Sequence, residues 1–144
     1  MGNDAHRPRT LLGFDFGTRR IGIAIGQELT GTARPLTTLA SPDGGPDWRA
    51  ISSLIEEWHP DALVVGIPYH MDGSEMGLTR LASRFGNRLQ GRYNLPVFTV
   101  DERLTSDEAE RMLREGDRPL DKGAVDQVAA QLILQSWLDQ QHAS

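Results

Sequence analysis

Hydrophobic positions along this chain begin with the spacing of strands and later alternate between strand and helix spacing. From Thr10 to Gly17 they form a nearly continuous run (Leu11, Leu12, Phe14, Phe16), as a buried strand does. Ile21 to Gly26 alternates strictly, with Ile21, Ile23 and Ile25 on one face and Gly22, Ala24 and Gly26 on the other. That pattern predicts a second strand with one face bare enough for a helix or another backbone to lie close. Thr18-Arg19-Arg20 between the two runs suits a tight antiparallel hairpin. Arg34 to Ala40 predicts a third, edge-like strand, followed by a Pro/Gly-rich loop through Pro46.

The period then becomes helical. Trp48, Ile51, Leu54, Ile55 and Trp58 recur at helix spacing, with Asp47 as the N-cap. Ala62 to Gly66 is a short apolar run between Pro60-Asp61 and Pro68, the profile of a buried parallel strand. A second helix from Ser74 to Gly91 turns Leu78, Leu81, Ala82, Phe85 and Leu89 inward. Leu95 to Val100 is another buried strand. Thr105 to Glu115 opens with a capping-box pattern, Thr105 and Glu108. The last helix runs from Asp121 to Gln140 with Val125, Val128, Ala129, Leu132, Ile133 and Trp137 inward. The order β-β-β-α-β-α-β-α-α predicts an α/β fold: a mixed five-stranded sheet, its first three strands antiparallel, flanked by helices. That is the RNase H-like layout.

Length and composition fit one domain. The expected division is a disordered tail over 1–9, a single domain over 10–140 and a C-terminal tail over 141–144. A hydrophobic share of 38% against 24% charged residues is that of a water-soluble chain, and no run is apolar enough to span a membrane. Without cysteine the chain has neither disulfides nor thiolate metal sites, which fits a cytoplasmic setting. The net charge of −5 means that any grip on nucleic acid must come from a local patch.

Three acids stand out. Asp15 lies inside the apolar strand Leu-Leu-Gly-Phe-Asp-Phe-Gly and has two readings: a turn-forming Asp before Gly17-Thr18, or a buried carboxylate awaiting a cation. Glu102 follows the strand Val97 to Val100, at the strand end where open α/β sheets place their sites; the competing reading is a surface ion pair with Arg103. Asp126 shares a helix face with Ala129, Ala130, Ile133 and Trp137, past the turn where a helix dipole would hold it. The predicted fold makes their three elements neighbours. Oxygen donors without Cys or clustered His suit Mg²⁺ or Mn²⁺.

Read together, four stretches resemble the YqgF family, the Holliday junction resolvase-like proteins described as pre-16S ribosomal RNA nucleases. They are Gly13-Phe-Asp15-Phe-Gly-Thr-Arg-Arg-Ile-Gly22-Ile-Ala24, Val65-Gly66-Ile-Pro68 with Met71-Asp72-Gly73, Asp101-Glu102-Arg103-Leu-Thr105, and Lys122-Gly-Ala-Val-Asp126-Gln-Val-Ala-Ala130. The resemblance implies an RNase H-like fold and a metal-dependent nuclease, with Asp15, Glu102 and Asp126 as its acidic triad. Members often carry two or more basic residues where this chain has Lys122 alone.

Candidate contacts to nucleic acid are Arg19 and Arg20 in the hairpin, Arg103, and Lys122, the one Lys among fourteen Arg. Chance competes with a phosphate-holding role for Lys122. A second tier holds Thr18, Asp72 and the row Arg80, Arg84, Arg88, which continues to Arg92; a solvated helix flank explains that row equally well. The function expected is phosphodiester hydrolysis in structured nucleic acid, RNA favoured over DNA, with a ribosomal RNA precursor in pre-ribosomal particles as the expected substrate. The protein acts as monomer or homodimer, away from membranes. The alternatives are a DNA junction resolvase and a binding module without catalysis. A sugar-kinase-like ATPase is disfavoured, since it needs two such domains.

Overall fold

The protein was studied as a computed structural model, which describes residues 7–42, 45–105 and 122–142. The predicted helix after Thr105 and the Asp121 start of the last helix lie outside the described residues, as do residues 1–6 and 143–144 of the predicted tails.

Five strands form one sheet: β1 (Thr10–Phe16), β2 (Arg20–Gln27), β3 (Thr32–Ala40), β4 (Ala62–Ile67) and β5 (Val97–Asp101). Their order is β3-β2-β1-β4-β5. The first three strands are antiparallel, whereas β4 runs parallel to β1 and β5 to β4. β1 is therefore the strand where the antiparallel half meets the parallel half. Its carboxyl end stands beside those of β4 and β5.

Two helices, α1 (Trp48–Trp58) and α2 (Gly77–Tyr93), cover one face, and α3 (Lys122–His142) covers the other. Asp47 caps α1 as expected, accepting from the Ala50 N–H at 3.1 Å. α2 starts at Gly77 rather than Ser74, because Asp72 takes the Ser74 N–H and hydroxyl for a turn. Thr79 then closes the first helical turn on Met76 (3.0 Å) and donates its hydroxyl to the Pro68 carbonyl.

The α1/α2 face is built of large side chains. Phe14, Phe16 and Trp48 surround Phe85, with ring centroids 5.6, 5.0 and 5.6 Å away. On the α3 face, glycines and Ala24 in the sheet let the helix approach, while Leu11, Val64 and Val100 pack with its Ile133, Leu134, Trp137 and Leu138. A Cβ on Gly22 would lie 2.0 Å from the Asp126 carbonyl oxygen, and one on Gly13 or Gly26 would press into Leu134. The bare side of β2 is thus where α3 settles.

α3 is fixed at its rim by three glutamines at helix spacing. Gln127 donates to the Thr38 hydroxyl (3.2 Å), Gln131 to the Ala33 carbonyl (3.1 Å) and Gln135 to the Gly31 carbonyl (2.8 Å). The Ala33 N–H returns a bond to Gln135 at 2.9 Å. Three of these bonds satisfy backbone groups of Gly31 and Ala33 at the start of β3, a strand two residues longer at its start than its pattern predicts. Pro35 sits where the β2–β3 register shifts, the kind of position on an edge strand that tolerates a missing N–H. Arg9, counted in the tail by sequence, is pinned: its guanidinium lies over Phe98 and Trp137 and pairs with Glu28 at 3.0 Å.

Candidate active site

Asp15 is the penultimate residue of β1. The strand turns its neighbours Phe14 and Phe16 toward α2 and Asp15 toward α3, since side chains alternate across a strand. Its partner across the β1–β2 ladder is Gly22. Because residue 22 has no side chain, the backbone of Asp126 descends onto it, and that contact sets Asp126 beside Asp15.

Glu102 arrives from the other side. Asp101 ends β5 and accepts from the Arg103 N–H at 2.9 Å, starting a tight turn over Glu102–Leu104. Asp101 also takes the Arg103 guanidinium at 2.6 Å, holding that cation outside and leaving Glu102 facing in. There Glu102 packs on Gly66, where a Cβ would lie 2.7 Å from Oε1. That oxygen is buried and has no hydrogen-bond partner.

Asp15 and Glu102 lie close enough that each shifts the titration of the other. Burial, the bond from Glu102 and the charges of Glu102 and Asp126 push the Asp15 carboxyl up to about 9. Burial also raises Glu102 above the usual carboxylate range. Two carboxyls forced together in a poorly solvated place keep a proton between them unless a cation replaces it. Neither has an arginine or lysine partner among the described residues.

Asp126 differs. Its Oδ2 accepts from the Arg20 Nε at 2.6 Å, a bond joining residues 106 apart in sequence. Among the described residues no three acidic or histidine side chains converge on one point. Asp15 and Glu102 face each other, while Asp126 borders them with its carboxylate turned to Arg20. An orphaned, buried Glu102 oxygen beside the raised Asp15 carboxyl is an oxygen donor pair that fits a small divalent cation.

The other sequence-predicted residues fall in distinct places. Arg19 is exposed on the hairpin, and its carbonyl accepts from the Ser41 N–H. Arg103, besides holding Asp101, lies 5.6 Å over the Tyr69 ring and reaches the Met71 carbonyl, so it straps the 69–73 loop to the end of β5. Asp72 forms its turn with Ser74, whose bonds hold its carboxyl below the usual range; the structure does not bring it to the acidic pair. The side chain of Lys122 lies outside the described residues. The arginine row on α2 divides: Arg80 pairs with Glu75 at 3.6 Å, Arg92 stacks 4.1 Å from the Trp48 ring, and Arg84 and Arg88 line a cleft that also contains Thr18. Leu81, predicted inward, stands 42% exposed on that cleft. Sequence reasoning missed the Arg20–Asp126 pair and the role of Gly66, whose one signal was a glycine in an otherwise apolar strand.

This sheet order, with acids gathered at the end of its central strand, is an RNase H-like fold of the kind that carries nucleic-acid hydrolases. A family model described as "RuvX: Holliday junction resolvase" matches residues 9–140, and the chain belongs to that family. It is 53% identical over 136 residues to a protein of Aeromonas salmonicida named "Putative pre-16S rRNA nuclease", covering 93% of this chain and 97% of the relative. A protein of the same name from Pectobacterium carotovorum is 51% identical over 138 residues, covering 94% and 99%. Among solved structures, Thermus thermophilus RuvC in complex with a Holliday junction substrate superposes with a TM-score of 0.58 at 13% identity, covering 94% of this chain and 96% of that one. The fowlpox virus Holliday junction resolvase gives 0.53 at 12%, covering 91% and 99%. At such identities the structures establish the shared fold. Among the described residues no helix is long and apolar enough to cross a membrane.

Proposed function

We propose that this chain is a divalent-metal-dependent nuclease that hydrolyses phosphodiester bonds in structured RNA, with the end of pre-16S ribosomal RNA as its substrate. The observation that carries the chemistry is the Asp15–Glu102 pair: two carboxyls held together, raised in pKa, one oxygen buried without a partner. Only a gain elsewhere keeps such an arrangement in a fold.

Asp15 and Glu102 would hold Mg²⁺ or Mn²⁺ through oxygen. Bound there, the ion supplies positive charge against the negative charge that develops on a phosphodiester in hydrolysis. Holding the ion would require both carboxyls to be ionised. Asp126 is the third acid, and Arg20 neutralises it and fixes its orientation while the other two stay uncompensated. Arg19, exposed on the adjoining hairpin, is the cation nearest in sequence that is available to a phosphate. Arg103 acts through Asp101 and the 69–73 loop by keeping Glu102 turned inward. Lys122 remains a candidate for holding a phosphate, and full activity in Lys122→Arg would refute a need for its compact ammonium.

RNA is favoured because relatives at about half identity carry that substrate in their names. The description of the matching family favours a second reading, a DNA junction resolvase, which would call for a symmetric pair of chains. A ribosomal precursor as partner and a cytoplasmic setting follow from the first reading.

The test offers the protein end-labelled precursor rRNA and a four-way DNA junction in Mn²⁺ or in EDTA. The expected result is cleavage of the precursor in Mn²⁺ alone, lost in Asp15→Asn and Glu102→Gln. Cleavage that persists in EDTA or survives Asp15→Asn would overturn the metal-carboxylate mechanism. Junction cleavage alone would overturn the RNA assignment, and no cleavage of either would leave a binding module.

A further inference from the structure

At the same end of the sheet as the acids, but on the opposite face, a cleft of about 560 Å³ opens between α2, the β1–β2 hairpin and the segment after β3, which lines it with Ser41, Pro42, Gly45 and Pro46. That volume lies in the range of small-molecule sites. Phe16, Leu81 and Phe85 give it an apolar side, Arg84 and Arg88 a cationic one, and Thr18 stands at the hairpin. Phe16 directly follows Asp15, so the cleft and the acidic pair share one strand end and are divided only by the edge of β1.

Its composition runs against the rest of the chain. The net charge is −5, yet two arginines line this cleft. Among the described residues neither Arg84 nor Arg88 forms an ion pair, whereas Arg80 on the same helix does. The Arg88 guanidinium carbon lies over the Trp48 ring, 4.9 Å from its centre, so a cation–π contact positions it. Leu81 keeps an apolar surface facing the opening.

A ligand that matches such a cleft has a flat apolar part and an anionic part. Phosphate alone would leave Phe16 and Leu81 unused, and an apolar peptide would leave the arginines uncompensated. A base in a duplex is stacked and paired, so it has no face to offer. An unpaired nucleotide offers both a base plane and a phosphate, the combination that single-strand-binding grooves use. We propose that this cleft holds an unpaired nucleotide of the RNA strand being cut, a short distance along the strand from the bond at Asp15 and Glu102. The inference rests on the nuclease reading and adds to it that cleavage is directed to the side of a single-stranded segment.

The test compares RNA hairpins with a blunt stem, a short 5′ tail or a short 3′ tail, each end-labelled with fluorescein. Binding by the full chain is read as anisotropy in EDTA, and cleavage separately in Mn²⁺. One tail should tighten binding about tenfold, the order expected for one stacked base. That advantage should disappear in Leu81→Ser and in the double variant Arg84→Gln/Arg88→Gln. All three side chains are exposed, so folding is checked simply by circular dichroism. The double variant should also flatten the salt dependence of tailed-hairpin binding, which Leu81→Ser should not change. Equal binding of blunt and tailed hairpins by the native protein, or a tail advantage that survives both variants, would overturn the proposal. If tails tighten binding but nothing is cut, the cleft assignment holds and the nuclease reading falls. If blunt and tailed hairpins bind alike and are cut alike, the reverse is true.

Discussion

Toward α1 and α2 the sheet presents Leu12, Phe14, Ile21, Ile23 and Val65 and meets Ile51, Phe85 and Leu89; toward α3 it presents Leu11, Gly13, Gly22, Ala24 and Gly66. The first face keeps its layers apart with rings, and its contacts are apolar and interchangeable in kind. On the second face helix and strand nearly touch, so polar groups on one reach polar groups on the other. Asp126 comes beside Asp15 only because Gly22 lets the helix backbone down, and Glu102 turns in only because Gly66 leaves room. The ring-filled face supplies stability, while the bare face supplies the short distances on which chemistry depends.

Substitutions on the two faces should therefore fail differently. The largest expected effect is Phe85→Ala, which empties the centre of the aromatic group and should cost about 4 kcal/mol in urea unfolding. A cost below about 1 kcal/mol would mean that this face is not the main source of stability. Gly22→Ala drives a methyl into the Asp126 carbonyl and should cost about 3 kcal/mol. At temperatures where it stays folded, it should also cut cleavage about a hundredfold by moving one acid from the other. Native-like cleavage in Gly22→Ala would break the link between the bare face and the site. Gln131→Ala leaves the Ala33 carbonyl without its side-chain donor and should cost about 1 kcal/mol, with α3 remaining docked.

The smallest effect is a slope. Asp15 holds its proton up to about 9 when folded but only to about 3.8 when free. Between those values the folded chain binds more protons than the unfolded one, so in EDTA stability should fall as pH rises through that window. The contribution is whole below the lower value and gone above the upper. Asp15→Asn should flatten the curve of melting temperature against pH; an unchanged slope would show that the raised Asp15 is not its source.

Much of this was legible in the sequence because it depended on neighbours. The alternation of Ile21 to Gly26 marked both the strand and its bare face, Asp47 announced α1, and Asp15 betrayed itself as a carboxylate in an apolar run. The glutamine clasp was not legible, since Gln127, Gln131 and Gln135 look like a solvated flank until β3 is seen beneath them. Neither was the Arg20–Asp126 bond, which spans most of the chain; Arg20 read as a free cation for phosphate. Asp72 misled in the opposite sense, an acid in a matching motif whose bonds turn out to be local, to Ser74. Leu81 followed the helical period faithfully, yet among the described residues no element covers it, and periodicity does not report what stands opposite a helix.

The central claim is that Asp15 and Glu102 keep a proton where a cation belongs. Calorimetric titration of the protein with Mn²⁺ at pH 7, repeated in buffers of different ionisation enthalpy, tests it most directly. The account predicts saturable binding that releases about one proton per ion, with both the binding and the release lost in Asp15→Asn. Binding without proton release, or binding that Asp15→Asn leaves unchanged, would contradict it.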